Sequence, residues 1–439
     1  MSSMVYLFSV LFSVWPADSG PPPNIVVITV DTLRADHMSA YGYEYQTTPN
    51  IDRLLAKGAL FTQARTIEPL TAPSLATMIT GLYPHEHGAS RNGLPLFPGL
   101  ISMTGLLRLG GYHTAAFVGN WTLRDQLTHL GGHFDEYHEV FTKKRWFGIF
   151  ASEATADDLT AKANAWLADY KQPKPFFLWV HYVEPHAPYQ FQEPYANQAG
   201  IRARSGQPTK SQRYDTEIAF ADHSIGTLLE RLNAVSPPGR TLVIFTSDHG
   251  ESLGEHNYWG HGRHLFEPTL HIPLGIVWQG RIQPGTIDAP ALIIDLPSTI
   301  LAFAAKPIPP SFGGFDWSGV LIGREKAPPG RVTFYQAHKG AVQTKKGTEH
   351  GRQRGLLEVG LLVDGRKEIY RVNPMNRRVF DLSKDPLEQR NLVPLKSELS
   401  KALQAWALAV EAGLNKAIDL ERDLDANDLE MLRSLGYIE

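Results

Sequence analysis

Four short segments carry side chains able to do chemistry on an ester. Asp31 ends the run Asn24-Ile25-Val26-Val27-Ile28-Thr29-Val30, Asp248 and His249 follow the run Leu242 to Phe245, and His181 and His186 bracket the end of Phe176 to Tyr182. Two carboxylates and an imidazole with coordination positions left open suit Mn²⁺ or Zn²⁺ over Ca²⁺ or Mg²⁺, which take oxygen ligands. The fourth segment, Pro69-Leu70-Thr71-Ala72-Pro73-Ser74, places hydroxyls where a helix would begin, with Pro73 in its first turn. A hydroxyl at that positive end is favoured as an alkoxide, more so against a divalent cation. Taken singly, each feature has a plainer role: a strand-end Asp, Thr71 or Ser74 can serve as a helix cap.

The elements that must position these groups are those of an α/β protein. Asn24 to Val30 is a continuous β-branched run, the pattern of a strand buried on both faces, and Thr114 to Val118, Phe176 to Tyr182 and Leu242 to Phe245 are of the same kind. Between them, Asn50 to Gly58 and Tyr214 to Leu232 show helical spacing. This alternation predicts a mainly parallel sheet covered by helices, with ligands at the carboxyl ends of the strands. We expect a catalytic domain over 24–306, a Pro- and Gly-rich connection over 307–330, and a smaller α+β subdomain over 331–419. Its elements are short strands at Arg331 to Ala337, Leu356 to Asp364 and Lys367 to Val372 and an amphipathic helix over Ser397 to Ala417, with a charged tail over 420–439.

Composition narrows the function. Lys plus Arg is 42 against 45 Asp plus Glu, a net charge of −3, which argues against a nucleic-acid partner. There is no cysteine, so disulfides, thiolate zinc sites and a cysteine nucleophile are all excluded. The apolar run Val5 to Trp15, followed by Ala17-Asp18-Ser19, reads as a secretory signal within 1–20 and hence an exported protein, although no Lys or Arg precedes it. The run is too short to span a membrane, and no later segment is long and apolar enough.

Together the segments resemble the sulfatase family of the alkaline phosphatase superfamily. The opening strand with Asp31 is followed by Thr48-Pro49-Asn50-Ile51-Asp52-Arg53-Leu54, then by Thr71-x-Pro73-Ser74-Leu75 with Ile79-Thr80-Gly81 in the place of the family signature. Phe245-Thr246-Ser247-Asp248-His249-Gly250-Glu251 resembles its later metal segment, with His256 and His261-Gly262 downstream, and Phe380 to Pro386 resembles its C-terminal phrase. The resemblance runs in order from about residue 24 to 395. It implies an alkaline-phosphatase-like fold and hydrolysis of a sulfate or phosphate ester on a small molecule, glycan or lipid headgroup.

The departures from the family pattern define the expected mechanism. The cysteine that the family oxidises to formylglycine is Thr71, its supporting Arg is Leu75, the second Asp of the usual pair is Thr32, and the Asn after the later Asp is His249. The resemblance then points to threonine-nucleophile branches of the superfamily, with Asp31, Asp248, His249 and Thr71 around one divalent ion, Mn²⁺ or Zn²⁺ rather than Ca²⁺. Thr71 would attack sulfur or phosphorus and form a covalent ester, with His181, His186 and one of Arg263 or His264 as donors to the equatorial oxygens. A second metal is the lesser expectation, since its extra carboxylate would have to be Glu184 or Asp222. Two alternatives remain open at this stage: a transferase passing phosphoglycerol or phosphoethanolamine to an acceptor, and a non-catalytic binder of sulfated or phosphorylated ligands. Specificity is expected in the loops Gly119 to Phe150 and Gln190 to Gln212.

Overall fold

A computed structural model describes residues 21–145, 150–201, 207–237, 239–339, 355–372, 375–392 and 398–417. The expected leader and the charged tail lie outside the described residues. Eight strands form one mixed sheet in the order Gly285–Leu292, Ala59–Arg65, Leu274–Val277, Thr241–Ser247, Asn24–Val30, Phe176–Tyr182, His113–Val118, Glu136–Glu139. All pairings are parallel except those of Leu274–Val277, which runs against both its neighbours.

The continuous apolar runs are explained by what lies on each face. Along the central strand, Ile25 and Val27 join one core with Phe177, Trp179, Leu242 and Ile244, while Val26, Ile28 and Val30 join the other with Leu178, Val180 and Phe245. Helices Thr71–Thr80 and Asp295–Phe303 cover the first face, through Leu75, Ile79, Leu296 and Ile300. Helices Pro49–Leu55, Ala156–Asp169 and Lys210–Val235 cover the second, through Ile51, Leu159, Tyr214, Ile218 and Leu228. Each such side chain contributes about 1.5–3 kcal/mol by leaving water, which holds the strand ends in register. The register sets Thr29 opposite His181 and Val30 opposite Ser247, so Asp31, Tyr182 and Asp248 emerge side by side.

The C-terminal part forms a four-stranded antiparallel sheet, Thr333–His338, Leu356–Val363, Arg366–Arg371 and Asn376–Asp381. The fourth strand is one the sequence reading did not propose. Helix Glu398–Ala417 packs on this sheet through Leu403 and Val410, against Leu356, Val359 and Leu361. Tyr335, Ala337, Ile369 and Phe380 belong to the main core, so the two sheets share apolar contacts. The join is also polar: Glu358 accepts from His264 Nδ1 and Leu265 N, both at 3.1 Å, and buried Lys367 lies 2.8 Å from Glu267 and 2.7 Å from Glu388.

Candidate active site

The site is assembled at the carboxyl edge of the central strands. Asp31 leaves its strand with its N–H bonded to Tyr182 O at 2.9 Å, and the chain then turns through Thr32 in the left-handed region (φ 58°). That conformation is strained for a β-branched residue. It aims the Thr32 N–H at Asp248 Oδ1, 3.1 Å away, and His249 N donates to the same oxygen at 2.8 Å. His249 Nδ1 donates to Gly250 O at 2.8 Å, which turns Nε2 inward. Gly250 is required there, because a Cβ would stand 2.1 Å from Pro268 O.

Thr71 is the first residue of helix Thr71–Thr80, fully buried at its N-terminal end. Two side chains fix that end. Ser74 Oγ donates to Asp248 O at 2.6 Å, and Asn92 Oδ1 accepts from Ala72 N at 3.0 Å. The result sets Thr71 Oγ1 3.3 Å from His249 Nε2, which is itself 3.3 Å from Asp248 Oδ2 and 3.7 Å from Asp31 Oδ1.

Asp31, Asp248 and His249 offer ligand atoms within 4.8 Å of one another, the one such cluster among the described residues. Asp31 Oδ1 and Asp248 Oδ2 are buried with no hydrogen-bond partner among the described residues. Burial drives the Asp31 carboxyl up to about 7, against the opposing pull of His261 and Asn120. Burial, then the Asp31 carboxylate, pushes Asp248 well above the usual range, and burial holds His249 well below the imidazole range. Two buried carboxylates beside a neutral imidazole are costly alone and are what a divalent cation requires. The residues therefore fit such an ion.

His181 stands at the rim of this cluster, its Nε2 3.8 Å from Asp31 Oδ2. Its Nδ1 meets Thr29 Oγ1 at 2.9 Å, and that oxygen accepts from Trp179 Nε1 at 2.9 Å. This favours Thr29 as donor to Nδ1, with the proton of His181 on Nε2. Burial lowers the His181 pKa to about 4. His186 donates from Nδ1 to Ala187 O, and its ring centre lies 5.4 Å from that of His261, which is 4.4 Å from that of His249. Arg263 is exposed, and His264 is drawn to Glu358. Asp222 caps helix Pro49–Leu55, accepting from Asn50 N and Ile51 N.

Three contributors had no signal in the opening reading, or only a vague one. Asn120, just beyond the carboxyl end of His113–Val118, donates to Asp31 Oδ2 at 2.5 Å. The same strand-end rule that singled out Asp31 would have found it. His261 is oriented by Glu251, Nδ1 to Oε1 at 3.1 Å, on a loop without periodicity. Asn92 lies in an irregular stretch whose role only the contact with Ala72 reveals.

The sequence profile of the sulfatase family matches residues 23–306. Human arylsulfatase A is 28% identical, over 85% of this chain and 83% of its own. Among solved structures, one in complex with its substrate D-glucosamine-2-N,6-O-disulfate aligns with a TM-score of 0.71 at 21% identity, covering 90% of this chain and 98% of its own. A phosphonate monoester hydrolase of Agrobacterium radiobacter aligns with a TM-score of 0.67 at 20% identity, covering 90% and 96%. The eight-stranded mixed sheet with its C-terminal antiparallel subdomain is the alkaline-phosphatase-like fold of these proteins. The chain belongs to the sulfatase family of sulfuric ester hydrolases.

Proposed function

We propose that this sulfuric ester hydrolase works through Thr71 as a covalent nucleophile, on a sulfate or phosphate ester. The observation that carries the reading is the position of Thr71 Oγ1, 3.3 Å from His249 Nε2 and facing the Asp31, Asp248 and His249 cluster. No cysteine exists from which formylglycine could be made. Asp31, Asp248, His249 and Thr71 would hold one divalent cation, with Mn²⁺ or Zn²⁺ favoured by the mixed oxygen and nitrogen donors. Bound there, such an ion lowers the pKa of a hydroxyl and polarises a non-bridging oxygen of the ester.

The chain's own residues do the rest. Ser74 and Asn92 lock the end of the nucleophile helix, so Thr71 Oγ is held against the Asp31, Asp248 and His249 cluster before the ester arrives. The Thr71 oxygen gives up its proton and bonds to sulfur or phosphorus as the ester oxygen departs, and that proton ends on the departing oxygen. Water then attacks the same central atom, the bond to Thr71 Oγ breaks, and one of the water's protons restores the Thr71 hydroxyl. His186 and His261 stand in a row beside His249, and Nε2 of His181, buried without a partner among the described residues, is free to donate toward the reacting group. The sulfated sugar held by the structural neighbour supports a sulfated glycan as substrate class. Among the described residues no helix is long and apolar enough to cross a membrane, and export rests on the leader at 1–20.

The test is Thr71→Ala, assayed against aryl sulfate, sulfated sugar, phosphate monoester and phosphodiester with Mn²⁺, Zn²⁺ or Ca²⁺. Turnover is expected to fall at least a thousand-fold with metal content retained. Unchanged turnover in that variant would overturn the nucleophile.

A further inference from the structure

The turn that carries Asp31 into the site is closed by a side chain from another element. Neither Thr32 O nor Arg34 N bonds to backbone among the described residues. The hydroxyl of Tyr214 serves both, donating to Thr32 O at 2.7 Å and accepting from Arg34 N at 3.0 Å. Tyr214 is wholly buried near the start of helix Lys210–Val235, whose first turn is fixed by reciprocal bonds between Thr209 and Gln212. The next residue, Asp215, meets His37 Nδ1 at 2.6 Å and accepts from the Tyr43 hydroxyl at 2.8 Å. One helix end therefore grips the chain after Asp31 at Thr32, Arg34, His37 and Tyr43.

That grip has a physical reason. Thr32 stands at φ 58°, and a β-branched residue keeps such a conformation only where its surroundings over-determine it. If Thr32 relaxed to extended backbone, its N–H would leave Asp248 Oδ1 and Arg34 would move with it. Arg34 Nη1 donates to Glu251 O at 3.1 Å, and Glu251 is the residue that orients His261. The turn thus reaches one carboxylate of the cluster through Thr32 and the His261 loop through Arg34.

We propose that Tyr214 is a positioning residue of the cation site, its hydroxyl holding Thr32 in the left-handed turn that sets Asp31 beside Asp248. This rests on the reading of Asp31, Asp248 and His249 as holders of a divalent cation. Groups behind metal ligands set affinity by fixing the orientation of those ligands, and losing one costs about 10–100-fold in metal affinity. Tyr214 acts on the ester only through the turn.

The experiment compares four full-length proteins: wild type, Tyr214→Phe, Thr32→Gly and the double variant. Mn²⁺ affinity is measured by calorimetry, alongside the urea midpoint of the metal-free protein. Glycine takes positive φ without steric cost and so depends less on the hydroxyl. Against wild type, Tyr214→Phe is expected to weaken Mn²⁺ binding by about ten-fold or more. Against Thr32→Gly, the same change is expected to weaken it by no more than about three-fold. A hydroxyl that serves packing alone would lower the urea midpoint alike in both backgrounds and produce no such difference. Equal losses of Mn²⁺ affinity in the two backgrounds overturn the proposal. If Tyr214→Phe does not fold, the double variant decides: Mn²⁺ affinity within about three-fold of Thr32→Gly supports the proposal, and a double variant that does not fold overturns it. A wild type that binds no Mn²⁺ overturns the cation reading and this proposal with it, whereas equal Mn²⁺ affinity in wild type and Tyr214→Phe overturns this proposal alone.

Discussion

Replacing Asp31 by asparagine should change stability with opposite sign in the metal-free and metal-loaded protein. Burial moves the Asp31 carboxyl from 3.8 to about 7, and at about 1.4 kcal/mol per tenfold in affinity this amounts to about 4 kcal/mol. The folded protein binds this proton more tightly than the unfolded chain does, so without metal its stability falls as pH rises from 3.8 to about 7 and is flat above. The neutral carboxamide of Asp31→Asn has no such charge to bury. Its carbonyl still accepts from Asn120, and its amino group faces the unpartnered Asp248 Oδ2. In chelator at pH 8 the variant should be more stable than wild type by up to about 4 kcal/mol, and at pH 5 by less than half of that. Relief of the Asp31 charge on Asp248 acts in the same direction. With Mn²⁺ at about a hundred thousand times its dissociation constant, wild type gains about 7 kcal/mol and the variant, lacking a ligand, little. The order of stabilities then reverses. Urea unfolding at pH 5 and 8, with chelator and with Mn²⁺, measures all four differences. A variant less stable than wild type in chelator at pH 8, or no reversal with metal, would refute the reasoning that these carboxylates are held for a cation.

Two further changes probe what holds the site. Lys367→Met should destabilise by about 3–5 kcal/mol, because fully buried Lys367 is the cation between Glu267 and Glu388 and its loss leaves two carboxylates facing each other; a shift in urea midpoint equivalent to under about 1 kcal/mol would contradict this. Ser74→Ala should cost about 1–3 kcal/mol, since it strands the buried Asp248 O and leaves the Thr66 hydroxyl only its bond to Glu68 O. It should also weaken Mn²⁺ binding in a titration, and unchanged metal affinity would mean that Ser74 does not position the Asp248 turn.

What could be read in advance follows from how strongly local chemistry constrains each residue. A β-branched run buried on both faces has one structural meaning, and parallel crossover connections bring all such runs to one edge, so Asp31, His181, Asp248 and His249 were legible before any coordinates. Strands with weaker patterns were not: Leu274–Val277 has four residues behind Pro273, and Gly285–Leu292 is broken by an irregular register before Pro290. Within the site, the hidden contributors were those placed by loops. Asn92 and His261 owe their positions to Ala72 and Glu251, contacts with no periodic trace.

His264 shows the limit most directly. It sits three residues from His261 in the same segment, and by type and spacing it is as good a donor as its neighbour. What decides between them is a carboxylate 94 residues further on: Glu358, fully buried, accepts from His264 Nδ1 and Leu265 N and is balanced by Arg371 and Arg378. Once buried, that carboxylate demands donors, and the loop supplies them at the expense of His264. Glu267, at the far end of the loop, is held in turn by Arg65 and Lys367. The loop bearing His261 is therefore shaped on its C-terminal side by charges in other elements, two of them in the C-terminal sheet. That sheet acts on the site by fixing which histidine faces it, a choice that no reading of the loop by itself could make.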